Sequence, residues 1–245
     1  MTFPPDYQPR PDLLAERVIL VTGAGDGIGR AAALAFAEHG ATVVLLGKTI
    51  PKLEATYDAI EAAGGPEPAI YPLHLEGASP HDFGELAHKL EQGFGRLDGL
   101  LHNAASQPYL SRIKDYEPED WMKVIQVNLN APFLLTQACL PLLLQAADAS
   151  VVFTSDAVGR RGKAYWGAYG VAKAGIENLM QTLADELENT AVRVNSIDPG
   201  PTRTSLRRRL YPGENPSRVK PAEEVLAHYL WLIGPDSRGT HGQAL

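Results

Sequence analysis

Six short runs of aliphatic and β-branched residues recur along the chain with longer amphipathic stretches between them, and this alternation limits the fold more than any other feature. The runs are RVILVTG from Arg17, TVVLLG from Thr42, AIYPLHL from Ala69, LDGLLHN from Leu97, SVVFTSD from Ser150 and AVRVNSID from Ala191. Several are apolar at consecutive positions, the pattern of strands covered by helices on both faces. Helical periodicity falls on IGRAAALAFAEHG, closed by Gly40, and on PKLEATYDAIEAAGG, opened by Pro51 and closed by Gly64-Gly65. Further helices are expected from about Pro118 to Leu144, with a break between Asn128 and Pro132, from about Ala168 to Leu187, and from about Pro221 to Ile233. Strands alternating with helices imply βαβ units and a parallel sheet. With no repeat and no low-complexity segment, residues 13–245 read as one doubly wound α/β domain, and residues 1–12 as an extended arm.

Composition narrows the class. The net charge of −7 argues against a general nucleic-acid binder. The single cysteine, Cys139, excludes an internal disulfide framework and a cysteine-cluster metal site, and no metal site is expected. Its setting in FLLTQACLPLL is that of a small buried hydrophobe. No apolar run is read as reaching the roughly 18 residues of a membrane-spanning helix. The opening MTFPPDYQPRPDLL has four prolines and no apolar block, so it is not a secretory signal. A cytoplasmic protein with no membrane partner is the expectation.

VTGAGDGIGR joins the first strand to the first helix, with glycines at 23, 25, 27 and 29 and Asp26 and Ile28 between them. The spacing G-x-x-x-G-x-G runs through Gly23, Gly27 and Gly29. A loop of this kind gives a tight turn, a bare backbone for a pyrophosphate and close helix–strand contact, with the anion on the helix N-terminus. Placed between strand and helix, it points to a Rossmann-type dinucleotide fold. At the end of the second strand, where an acid would hold the ribose 2′-hydroxyl, stand Gly47 and Lys48. Lys48 can pair with a 2′-phosphate, so NADP(H) is preferred, with NAD(H) as the alternative; Asp26 is a counter-signal.

With TGAGDGIG, HNAA, VNLN and YGVAK in this order, and DPGPTRT after the sixth run, the chain resembles the short-chain dehydrogenase/reductase family from Leu13 to Gly242. YQPRPDLLAERVILVTGAGDGIGR and YLWLIGPDSRGTHG are similar to bacterial oxidoreductases of the YciK type, a subgroup whose substrate is not assigned. The resemblance implies an NAD(P)-dependent oxidoreductase acting on a small carbonyl or acyl-thioester substrate, as a homodimer or homotetramer. It carries a phosphate loop to Gly23, Gly27 and Gly29, and an adenosine-side segment to Asn103, Ala104 and Ala105. A relay asparagine falls on Asn128, the catalytic pair on Tyr169 and Lys173, and the nicotinamide loop on Pro199, Gly200, Thr202 and Thr204. Ser205 to Val219 matches the substrate lid. The adenine-binding Asp of many members is replaced by His74, followed by Leu75.

Tyr169 and Lys173 are spaced i, i+4, so on a helix they share one face. A nearby ammonium is expected to lower the phenol pKa and fit Tyr169 for proton transfer to or from a ketone or 3-oxoacyl oxygen. Tyr165 is followed four residues later by Tyr169, not by a lysine. The substrate oxygen also needs a second donor. In the family this is a serine 13 positions before the tyrosine and three before a glycine; both counts fall on Asp156, with Ser155 one short. Neighbouring strand residues face opposite ways. Three outcomes stay open: Ser155 turned inward by a bulge, Asp156 protonated and donating, or a site with weakened catalysis. The last makes a nucleotide-binding sensor or scaffold the alternative function. Arg160, Arg161, Lys163 and Arg207 to Arg209 are either a solvated basic surface or an attractor for an anionic substrate.

Overall fold

A computed structural model describes residues 3–245. Strand β1 (Val18–Thr22) leads into helix α1 (Gly27–Glu38), followed by β2 (Thr42–Gly47), α2 (Ile50–Ala62), β3 (Ala69–Pro72), α3 (Pro80–Phe94) and β4 (Gly99–His102). The second half runs through α4 (Pro118–Ile125), α5 (Ala131–Gln145), β5 (Ala149–Thr154), a short α6 (Ala157–Arg160), α7 (Gly167–Glu186), β6 (Val192–Ile197), α8 (Ser205–Leu210) and α9 (Leu226–Ile233). The six strands form one all-parallel sheet in the order β3-β2-β1-β4-β5-β6. The order reverses between β1 and β4, and in open α/β sheets ligands bind beyond the strand ends at such a point.

Strand alternation sorts the core into two layers. Val18, Leu20, Val151 and Phe153 face the layer shared with α3, α5 and α7, whereas Ile19, Val21 and Val152 face that of α1, α2 and α9. Both faces of β1 and β5 are therefore buried, which is why their sequences are apolar without alternation. Phe3 stacks on His228 at 3.8 Å, and Tyr7 donates to Asp236, so the segment before β1 lies against α9. The C-terminal tail runs beside β6, with Ser196 N–H on Gln243 O and Leu245 N–H on Ser196 O, and covers that edge.

Three readings change. Helix α3 was not expected, because it is largely polar; Phe83, Leu86 and Leu90 supply its buried stripe. Its sequence signal is the Ser79–Asp82 cap, in which the Asp82 carboxylate accepts the Ser79 N–H at 2.7 Å. The break expected before Pro132 is a wide helical turn, Gln126–Asn130, that joins α4 to α5 without interruption. Ala131 N–H reaches Gln126 O, five residues back, and this wider turn accommodates the proline that follows. The resulting run Pro118–Gln145 is, by length and composition, apolar enough to cross a membrane (mean hydropathy 1.4), contrary to expectation; half of that apolar window is buried within the fold.

Candidate active site

The glycine loop is shaped by backbone contacts. Gly23 and Gly27 have φ of 71° and 53°, in the left-handed region. A Cβ on Gly29 would collide with the Gly23 carbonyl and stand 2.5 Å from Asn103 Nδ2. The loop is tied to its surroundings by Ala24 N–H on Leu46 O (3.1 Å) and by the Thr56 hydroxyl on Ala24 O (3.1 Å). Asp26 precedes α1 but makes no side-chain cap to it. Its carboxylate takes the Lys52 ammonium and the Ser205 hydroxyl (3.1 Å), and these partners hold its pKa below the usual carboxylate range against partial burial. Gly25 admits Lys52, since a Cβ there would lie 2.9 Å from the lysine Cβ.

A cavity of about 470 Å³ crosses the C-terminal ends of β2, β1, β4 and β5. Of the residues expected to hold a cofactor, Gly23, Gly25, Asp26, Gly27, Ile28, Gly47, Lys48, Leu75, Asn103, Ala104, Ala105, Pro199, Gly200, Thr202 and Thr204 line it, with Tyr169 and Lys173. His74 lines it too. Gly29 lies under the loop, where its lack of a side chain sets the close packing. Asn103 and Ala104 donate their N–H groups to Thr22 Oγ1 at 2.9 and 3.0 Å, which fastens this segment to the end of β1. Lys52 and Trp166 are lining residues that sequence reasoning missed, and Tyr211 lines the cavity from the segment expected to form the lid. No spacing rule reaches Lys52; it arrives because α2 packs under the loop.

Asn128 is outside the lining. It is buried, its amide donates to Ser106 O and Val124 O at 2.7 Å each, and its oxygen accepts Ser106 N–H at 3.2 Å. It clamps the wide turn to the loop after β4.

At the other end of the cavity, Tyr169 and Lys173 share one face of α7 and are 6% and 3% exposed. Lys173 Nζ donates to Thr154 O at 2.6 Å and lies 5.3 Å from the Tyr169 ring centroid. Burial lowers its pKa from 10.5 to about 8. The expected lowering of the Tyr169 pKa is not found. Burial drives it strongly upward, and the carboxylates of Asp156 and Asp198 add to the rise. The lysine sits over the ring face and gives its hydrogen bond to Thr154 O, so it does not offset them. Tyr165 is 54% exposed.

No bulge follows β5. Ser155 N–H pairs with Ile197 O at 2.7 Å, continuing the ladder, and the backbone stays extended through Asp156. Ser155 is buried and lines the cavity, and its Oγ has neither solvent nor a hydrogen-bond partner. Asp156 caps α6, with one carboxylate oxygen accepting Val158 N–H at 3.0 Å. Gly159 lets α6 rest directly on α7, because a Cβ there would lie 2.7 Å from Lys173 Cβ. Burial raises the Asp156 pKa and Asp198 adds to it, while Val158 N–H, Lys173 and Arg207 pull it back.

A second cavity of about 650 Å³ shares Asp156, Trp166, Gly200, Arg207 and Tyr211 with the first and adds Arg161, Lys163 and Asp198. Part of the basic cluster is already engaged. Arg160 is held by Glu177 (3.3 Å) and Leu245 O (2.7 Å), Arg207 makes a two-pronged pair with Glu214 (2.7 Å each), and Arg209 donates to Gln107 O (3.1 Å).

This geometry has close parallels. The family profile described as short chain dehydrogenase matches residues 17–215. The oxidoreductase YciK of Escherichia coli K12 is 46% identical over 236 residues, covering 96% of this chain and 93% of that protein. The 3-oxoacyl-[acyl-carrier-protein] reductase FabG of Thermotoga maritima is 31% identical over 242 residues, covering 95% and 96%. A short chain dehydrogenase structure from E. coli CFT073 complexed with NADPH superposes with a TM-score of 0.94 at 45% identity, covering 97% of this chain and 98% of that one. The glycine loop at the switch point, the buried Tyr169–Lys173 pair and this likeness along nearly the whole chain make the protein a member of the short-chain dehydrogenase/reductase family of oxidoreductases.

Proposed function

We propose that the protein is an NADP(H)-preferring reductase of a ketone or 3-oxoacyl substrate, with Tyr169 as proton donor in reduction and acceptor in oxidation. The observation that carries this reading is the pairing of ends in one cavity: Tyr169 and Lys173 buried side by side at one, Lys48 and Lys52 at the other. The lining fits a dinucleotide, since bare glycine backbone stands where a pyrophosphate needs close approach. Lys48 and Lys52 supply cations for a 2′-phosphate. The NADPH complex of the E. coli CFT073 relative supports the cofactor, and the activity in the name of the Thermotoga relative supports the 3-oxoacyl class.

Bound NADPH supplies the hydride. The chain supplies the proton, the orientation and the exclusion of water. Tyr169, kept protonated chiefly by burial, is poised to donate rather than to accept at neutral pH. Lys173, held by Thr154 O over the face of the Tyr169 ring, would hold the nicotinamide ribose of a bound cofactor. Trp166 and Tyr211 give the substrate an apolar wall, and Arg161 and Lys163 on the second cavity suit an anionic tail such as that of an acyl-thioester carrier. Met122 on α4, Phe133 and Leu144 on α5 and Val171 on α7 are exposed, which supports a homodimer or homotetramer through these helices.

The test is Tyr169→Phe, assayed with NADPH and acetoacetyl-CoA. Turnover should fall by roughly 10² to 10⁴ while NADPH binding, followed by fluorescence titration, survives. Full activity in that variant would end the mechanism. Asp156 favours a second reading, a nucleotide-binding sensor or scaffold, because an ionised acid beside the substrate oxygen opposes the forming alkoxide. Turnover at ordinary enzyme rates would remove that reading.

A further inference from the structure

We propose that Asp156 is the second hydrogen-bond donor to the substrate oxygen and acts there as a neutral carboxylic acid, an assignment that rests on the carbonyl-reductase reading above. The geometry ranks Asp156 before the serine, which also lines the first cavity. The β5–β6 ladder continues through Ser155, so alternation is kept and its hydroxyl is shut away from solvent, whereas Asp156 stands where the two cavities meet. The two carboxyl oxygens have different tasks. Oδ1 accepts Val158 N–H at 3.0 Å, which fixes the group's orientation and leaves Oδ2 as the position for a proton.

The surrounding charges bear on that proton from every side. Tyr169 and Lys173 face Asp156 from α7, Asp198 from the end of β6, and Arg207 from α8; Arg161 and Lys163 border the second cavity. Burial and Asp198 favour the neutral form. Val158 N–H, Lys173 and Arg207 oppose it, but the Glu214 carboxylate already holds the Arg207 guanidinium, and the Lys173 ammonium gives its hydrogen bond to Thr154 O. Only the neutral form serves the reaction, because a carboxylate cannot donate and repels a forming alkoxide. In reduction the substrate carbon gains the hydride from NADPH and its oxygen takes the Tyr169 proton. The Asp156 proton is shared in a hydrogen bond and stays on the carboxyl, so Asp156 ends the step as it began.

The decisive variants are Asp156→Asn and Asp156→Ser, both residues that cap helices and keep a partner for Val158 N–H. Asparagine also turns an amide N–H toward the cavity at every pH. Rates with NADPH and acetoacetyl-CoA are measured across pH, and carboxyl protonation is followed by infrared difference spectroscopy on the NADP-bound protein. The wild type should lose turnover as pH rises through the Asp156 pKa. Asp156→Asn should lack that limb and exceed the wild type by roughly tenfold or more on its alkaline side. A protonated-carboxyl band that titrates with the activity should be present in the wild type and absent from the variant. An Asp156→Asn enzyme slower than wild type at every pH with the limb intact would overturn the assignment. So would a carboxyl that is ionised wherever the wild type is active. The Tyr169→Phe result judges the reductase reading separately. Should neither protein turn over acetoacetyl-CoA, the infrared titration alone decides, an ionised carboxyl across the neutral range counting against Asp156.

Discussion

The two ends of the cavity, the proposed phosphate end and the proposed reacting end, are built from different materials. At the phosphate end the shape is made by backbone, and the charges are near water, with the Lys52 and Asp26 side chains 52% and 43% exposed. At the reacting end the shape is made by side chains, and Tyr169 and Lys173 have almost no contact with solvent. A charge in water is screened, whereas a buried one feels its neighbours and the loss of hydration in full. Changes at the reacting end should therefore register as displaced proton equilibria, and changes at the phosphate end as steric loss or salt-sensitive affinity.

The largest effect expected from this contrast concerns Lys173. Folding moves its pKa from 10.5 to about 8, so between those values the unfolded chain holds a proton that the folded chain has released. Stability therefore rises with pH across that window, by an amount on the order of 3 kcal/mol. Lys173→Met should remove this rise. Urea unfolding of the cofactor-free wild type and variant at pH 8 and pH 10.5 measures it, and the same pH dependence in both proteins would mean that Lys173 is hydrated in solution.

At the phosphate end, Gly29→Ala should act through space alone. The added methyl meets the Gly23 carbonyl and Asn103 Nδ2, so the loop must shift. A cost of about 2 kcal/mol is expected, read as a loss of NADPH affinity of roughly thirtyfold with no new pH dependence. Gly77→Ala, where a Cβ meets nothing within 4 Å, is the control. Equal affinity in Gly29→Ala and wild type would show that the loop relaxes freely.

Legibility in the sequence follows the same divide. The glycine loop, the six strands and the shared helix face of Tyr169 and Lys173 were readable because backbone freedom and periodicity are written residue by residue. Helix α3 was passed over because three buried apolar residues in a largely polar stretch make a faint stripe, and its cap was the better sign. The direction of the Tyr169 pKa was misread because sequence shows a lysine four residues away but not the burial or the approach of Asp156 and Asp198. Counting located Asp156. Both Asp156 and Ser155 line the cavity, and the unbroken ladder that keeps the backbone extended after β5 is recorded by no motif.

The smallest expected effect tests whether the phosphate end reads the cofactor through charge. Lys52 is paired with Asp26, and an exposed pair of this kind is worth at most about 1 kcal/mol. A 2′-phosphate carries more charge than one carboxylate and should draw the lysine away. Lys52→Met and Lys48→Met should each weaken NADPH about tenfold or less, leave NADH unchanged and reduce the salt dependence of NADPH binding. Asp26→Asn should act the other way, because it removes both the lysine's competitor and a negative charge near the phosphate. Fluorescence titration of both reduced cofactors at two ionic strengths separates the cases. Tighter binding of NADH by the wild type would refute the reading of Lys48, and an NADPH preference untouched in Lys52→Met would leave that discrimination to Lys48 alone.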